Sequence, residues 1–207
     1  MTRLFALCMM FFAASVAMIV AAQPAPNPQA TDWRKVATNN DKGRLLRWRT
    51  SFVAALVSAR NEGQGDAITR EGVLLEPDAG LDRPAIPAGA YLCRTIKLGR
   101  KGAYTKAFSA RPPSRCVVSE AAGRVQLRTM NGAQRARGEI FPGTERRQIF
   151  LGTLSFGDET RAMAYGRDAA RDMAGALERI GDRRWRLLLP QPGFESLMDV
   201  VELTPTD

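Results

Sequence analysis

The residues with types and spacing fit for chemistry are mostly acids and arginines. Asp168 and Asp172 stand four apart in the run Tyr165-Gly166-Arg167-Asp168-Ala169-Ala170-Arg171-Asp172, and so do Arg167 and Arg171. On a helical turn that spacing sets like charges on neighbouring positions, with cross-sign pairing between adjacent rows. Two carboxylates so placed could serve as acid and base in glycoside hydrolysis. The plainer reading is a capped, solvated turn that plugs one end of the fold. Glu195 and Ser196 follow the turn 190–194 (PQPGF) and either join that chemistry or cap the corner.

Strand parity supplies a second arrangement. In 195–203, Asp199 falls on the same face as Leu197, Val201 and Leu203; in 92–98, Arg94 falls with Leu92, Ile96 and Leu98. If both apolar faces point inward, a carboxylate and a guanidinium point inward with them, and each needs a partner. Arg94 and Asp199 would then meet, directly or through a ligand, in a mostly apolar interior. Otherwise one parity is inverted, or a bulge flips it, and the charges face water. Arg94, Asp199, Arg135, Tyr165 and Asp168 are therefore the candidate ligand-binding residues, and no catalytic residue is assigned.

Other chemistries are closed. The sequence has no histidine, which excludes Ser-His-Asp and Cys-His catalysis and histidine metal sites. It has no GxSxG elbow, no phosphate-binding loop and no Asp-Thr-Gly. Metal binding would fall to carboxylates, and no EF-hand-like spacing is present. No metal and no cofactor are expected.

These residues must be held by a chain of 207 residues, the length of one domain, with 45 % hydrophobic residues. Residues 4–22 are apolar throughout, Arg3 gives a small positive n-region, and Val20-Ala21-Ala22 has the spacing of a cleavage site. A cleaved export signal over 1–22 is expected, and hence a periplasmic or secreted protein. An uncleaved anchor is the alternative, since 19 apolar residues also reach membrane-span length. A Pro-rich linker, 23–31, follows. Two cysteines then remain, Cys93 and Cys116, and export favours a disulfide between them.

A helical segment is expected over 32–65. Leu45, Trp48, Phe52 and Leu56 recur at helical spacing between about Asp41 and Arg60, with Asn39, Asn40 and Asp41 as candidate N-caps. Residues 66–88 read as loop with one short strand at Val73–Leu75. From Gly89 the pattern changes to short strands: 90–98, 103–109, 115–119, 124–130, 137–141, 147–156, 161–165, 174–180, 183–189 and 195–203. Asn131-Gly132 has the composition of a type I′ hairpin turn. So many evenly spaced strands, with no room for crossover helices, argue for an antiparallel meander that removes its edges by closing. The fold class expected is α+β, mainly antiparallel β. It is a small up-and-down barrel of the lipocalin or avidin kind, or a curled sheet, over 89–207 with the N-terminal helix docked on it.

Several fragments match a known pattern in order. They include Gly89-Ala90-Tyr91-Leu92-Cys93-Arg94, Lys97-Leu98-Gly99, Gln134-Arg135, Phe150-Leu151-Gly152, Tyr165-Gly166-Arg167-Asp168, Arg171-Asp172, Leu177-Glu178-Arg179-Ile180-Gly181, Arg184-Trp185-Arg186-Leu187 and Glu195-Ser196. From Asp32 to the C-terminus the chain resembles an exported bacterial family known as domain of unknown function 4893. The resemblance implies a single exported domain and carries no activity, substrate or catalytic residue.

Charge bounds the partners. Lys plus Arg is 30 against 21 for Asp plus Glu, a net +9. Loss of residues 1–22 removes Arg3 and leaves 29 against 21, or +8. Arginine suits phosphate and carboxylate groups through bidentate contacts. Outside the cytoplasm the fitting partners are a small anionic or amphipathic ligand, an envelope component or another exported protein, and not nucleic acid. The alternative is a solvated surface that follows genome composition. The sequence thus favours a non-catalytic binding barrel for such a ligand. An inhibitor or binding module for an exported protein is one alternative. A hydrolase using Asp168, Asp172, Glu195 or Asp199 is another.

Overall fold

The computed structural model describes residues 31–206. The expected export signal, 1–22, and all but the last residue of the linker lie outside that range. Among the described residues no helix is long and apolar enough to cross a membrane.

Four helices come first: α1 (Trp33–Val36), α2 (Asn39–Leu46), α3 (Trp48–Asn61) and α4 (Gly65–Glu71). A 3₁₀ turn, Gly72–Leu75, follows in place of the short strand expected at Val73–Leu75. Thr38 caps α2, its Oγ accepting from Asp41 N at 3.2 Å, rather than the asparagines or the aspartate after it. The single helix expected from Asp41 to Arg60 is broken at Arg47, which leaves helical geometry. The apolar spacing runs through the break because each side serves a different cluster. Leu45 packs with Phe141, Ile149 and Ala174. Phe52 and Leu56 pack with Ile96, Leu98, Leu188 and Val200.

Nine strands follow: β1 (Gly89–Arg100), β2 (Phe108–Ala110), β3 (Ser114–Ala121), β4 (Arg124–Thr129), β5 (Gln134–Thr144), β6 (Arg147–Phe156), β7 (Asp172–Gly181), β8 (Arg184–Pro190) and β9 (Ser196–Pro205). All pairings are antiparallel. The order is β1-β3-β4-β5-β6-β7-β8-β9, and β9 returns to β1, so eight strands close a barrel. β2 is an extra strand on the distal part of β1. The run 161–165 forms no strand, since β6 pairs directly with β7 and leaves no edge between them. The β3–β4 link, not Asn131-Gly132, is the two-residue hairpin with positive φ at both centres: Ala122 at 50° and Gly123 at 72°. Asn131 lacks positive φ, and the β4–β5 connection is four residues.

The barrel interior holds Tyr91, Leu127, Ile140, Phe150, Leu177, Trp185, Leu187 and Leu203. Cys93 and Cys116 form a disulfide within it, between β1 and β3, with Cα atoms 5.9 Å apart. The outer face of β7, β8, β9 and β1 is covered by α3 and the 3₁₀ turn, so these strands are buried on both sides. Burying Phe52 and Leu56 there contributes roughly 1.5–3 kcal/mol each. Gly99 (φ 70°) permits the close approach: a Cβ on it would lie 2.9 Å from Ala55 Cα.

Candidate functional site

The barrel's two ends differ. At one end β3–β4, β5–β6 and β7–β8 are joined by turns of two residues. At the other lie the longer connections 101–107, 111–113, 130–133, 157–171 and 191–195. The candidate site is this loop-bearing mouth.

Its centre is Lys97. Register sets Lys97 of β1 opposite Asp199 of β9, so both side chains share the inner face. Lys97 Nζ donates to Asp199 Oδ2 at 2.9 Å and lies 3.2 Å from Glu195 Oε2. Ser196 Oγ donates to the other Asp199 oxygen. Arg111 Nη2 reaches the same Glu195 oxygen at 3.2 Å. The Lys97 and Asp199 side chains are 7 % and 10 % exposed, whereas Glu195 is 40 % exposed. Burial pushes the Asp199 carboxyl above its usual range, against the pull of Lys97 and Ser196. Burial also opposes ionisation of Glu195, but Lys97 and Arg111 outweigh it and hold that carboxyl below its usual range. Glu195 (φ 67°) and Gln191 (φ 48°) both adopt left-handed backbone without being glycine. Such conformations cost of order 1–3 kcal/mol and persist where surrounding structure imposes them.

Beneath this cluster is a void of about 30 Å³ bordered by Lys97, Asp199, Gln134, Leu154 and Phe194. It has room for one or two waters. Phe194 lines it, in edge contact with Phe156 at 5.5 Å. Outside it, two open clefts of about 400 and 510 Å³ meet at Lys97, Arg111, Pro112 and Glu195. The first extends to Tyr104 and Lys106, and the second to Asn131, Gln134 and Phe156.

The expected meeting of Arg94 with Asp199 does not occur. Arg94 does share a face with Ile96 and Leu98, but that face is the outer one, under the helices. Its guanidinium binds Glu71 of α4 and Glu202 of β9, at 2.9 Å each. Asp199 points inward, and its cation is Lys97. The remaining candidates hold loops in place. Arg135 donates to the carbonyls of Phe156, Gly157 and Glu159, which fixes the start of the 157–171 connection. Tyr165 OH donates to Asp41 at 2.5 Å and accepts from Thr38 N. Burial and that carboxylate push its hydroxyl up to about 12. Asp168 accepts from Ala170 N and pairs with Arg171 at 3.3 Å. Asp172 accepts from Gly166 N, and burial raises its carboxyl. The segment 165–171 forms turns that lead into β7 at Asp172, its acids are occupied by local donors, and Ala170 and Arg171 border the void.

Of the four acids considered for hydrolysis, the structure brings Glu195 and Asp199 together. Their contacting oxygens sit on one ammonium, and Lys97 Nζ occupies the space between them. Lys97 and Arg111 are the residues that sequence reasoning missed. β1 is apolar on both faces, so its parity alone did not reveal which face is inner. Among the described residues no three acidic or cysteine side chains gather to hold a metal ion.

The family profile described as "Domain of unknown function (DUF4893)" matches residues 33–203. The chain belongs to that family. No curated protein and no solved structure matches it. The fragments that carry the resemblance divide between the helix-covered flank and the mouth. Glu178 and Arg186 lie under the helices, while Lys97, Glu195 and Ser196 lie at the mouth.

Proposed function

We propose that the protein is a non-catalytic binding module that takes an anionic group at the mouth of its barrel. One observation carries this reading: Lys97 and Arg111, from two separate elements, converge on a single carboxylate oxygen where two open clefts meet. Glu195 occupies that position from a left-handed backbone, so it acts as an internal stand-in. A ligand carboxylate or phosphate would displace it and gain the same two cations. The filled interior supports a ligand held at the mouth rather than inside, because 30 Å³ is far below the roughly 300–1,000 Å³ of small-molecule pockets. The hydrolase alternative is less well supported, since the ammonium stands between the two acids and Asp199 is buried.

An exported setting for this activity rests on the apolar residues 4–22 and is compatible with the Cys93–Cys116 disulfide.

Native mass spectrometry of protein purified from its source cells tests the reading. A retained acidic molecule, lost from Arg111→Ala protein, is the expected result. An empty protein that also ignores acetate, phosphate and glucuronate in amide-shift titrations would overturn it.

A further inference from the structure

The geometry points to β2 as a docking edge for an extended acidic peptide segment of another protein. β2 has one strand neighbour, β1. Its register with β1 is Ile96↔Ala110, Lys97↔Ser109 and Leu98↔Phe108. Gly99 N donates to Ala107 O and Arg111 N to Thr95 O, each at 2.8 Å. These are the bonded pairs on either side of Lys97↔Ser109. Antiparallel ladders alternate, so Ser109 also turns its N–H and C=O toward β1. Phe108 and Ala110 therefore turn theirs the other way, to the free edge. β4, which flanks β3, ends at Thr129 and turns away before it reaches β2. Pro112 and Pro113 end the edge beyond Arg111, because neither has an N–H to offer.

Charge selects the occupant. Lys106 and Arg111 flank the edge, both exposed, and Lys106 makes no ion pair among the described residues. Tyr104 is 103 % exposed on the loop leading into β2. The cleft of about 400 Å³ runs along these residues and reaches Lys97. Lys106 and Arg111 are five residues apart and so differ in parity along the extended edge; a strand added to β2 would meet them with side chains of opposite parity, which fits Asp or Glu at positions of either parity. A second copy of this chain is disfavoured, since pairing two β2 edges would bring two basic edges side by side. This inference goes beyond the anion site, because the outward amides of Phe108 and Ala110 play no part in that site.

The test is amide hydrogen exchange, read residue by residue, on the full-length mature protein. The probe is an eight-residue peptide of the repeat Glu-Glu-Thr-Thr, which places Glu at positions five apart and so of either parity, with a Lys-Lys-Thr-Thr peptide of the same length as counterpart. At a concentration that occupies nine sites in ten, exchange at Phe108 and Ala110 should slow about tenfold, because only the free tenth exchanges. The basic peptide should give no slowing. The acidic peptide N-methylated at alternate residues, on the edge facing β2, should also give none, and this control leaves the protein untouched. Three results overturn the inference: no slowing with the acidic peptide, equal slowing with the basic one, or slowing that survives methylation. Slowing by polyglucuronate in place of the peptide would overturn it as well. Shifts at Lys97 and Arg111 with glucuronate but unchanged exchange at Phe108 and Ala110 with the peptide would leave the anion site standing and remove the edge.

Discussion

The helix-covered flank and the open mouth both bury charge, and they bury it differently. On the flank, Arg186 and Glu178 are both fully buried and bond to each other at 2.6 Å. Arg186 also donates to the carbonyls of Leu74, Glu76 and Pro77, at 2.8, 2.7 and 3.2 Å. One guanidinium thus ties the 3₁₀ turn and the chain after it to the barrel wall. The backbone acceptors of Arg186 are fixed, and neither residue lines the two clefts at the mouth. At the mouth, Lys97 and Arg111 share one half-exposed carboxylate on a loop with left-handed residues, beside open clefts. A buried charge is therefore a poor marker of a site on its own. Saturation by backbone marks a latch, whereas shared, accessible partners mark a place where something can be exchanged.

Breaking the latch should give the largest effect. Arg186→Ala leaves Glu178 with Arg147 as its remaining cation and the carbonyls of Leu74, Glu76 and Pro77 without their donor, and removal of one partner of a buried pair costs about 3–5 kcal/mol. Denaturant unfolding should show that loss. Reduction of Cys93–Cys116 comes next, at roughly 3 kcal/mol in the chain-entropy model for a 23-residue separation. It should act on stability and leave ligand binding intact in the protein that remains folded. Arg111→Ala should do the reverse. Its side chain is 53 % exposed, so stability should stay within about 0.5 kcal/mol, while affinity for glucuronate falls about tenfold, the equivalent of about 1.4 kcal/mol.

A pH titration sharpens the same contrast at smaller amplitude. Burial raises the Asp199 carboxyl above the usual aspartate range, so it takes up its proton earlier than an ordinary aspartate as pH falls, while Lys97 and Arg111 delay that of Glu195. Protonation of Asp199 removes one negative partner from Lys97 and makes the mouth more positive. Affinity for an anion that stays ionised should therefore rise as pH falls through the Asp199 titration. Carbon-detected NMR of the carboxyl groups should show Asp199 titrating above ordinary aspartates and Glu195 below ordinary glutamates, and Asp199→Asn should flatten the binding profile.

The barrel was legible because turn residues recur at short intervals and alternating strands need no helix between them. Three features were not. The Ala122-Gly123 turn carries an alanine at positive φ, which propensity disfavours. The break at Arg47 is silent because Leu45 and Phe52 keep one helical spacing while packing into different clusters. Arg94 was misassigned because β1 buries Ile96 and Leu98 under helices and Tyr91 and Cys93 in the barrel. Two apolar faces give parity no means to tell inside from outside. Asp199 was placed correctly on the inner face, because the face it shares with Val201 and Leu203 is the barrel interior.

The most direct test compares glucuronate and phosphate binding by the wild-type protein, Glu195→Gln and Lys97→Met, using titration calorimetry. Glu195→Gln removes the internal stand-in with little change of shape and should bind about tenfold more tightly, while Lys97→Met should lose binding. Equal affinities across all three proteins, or weaker binding by Glu195→Gln, would contradict an anion site at the mouth.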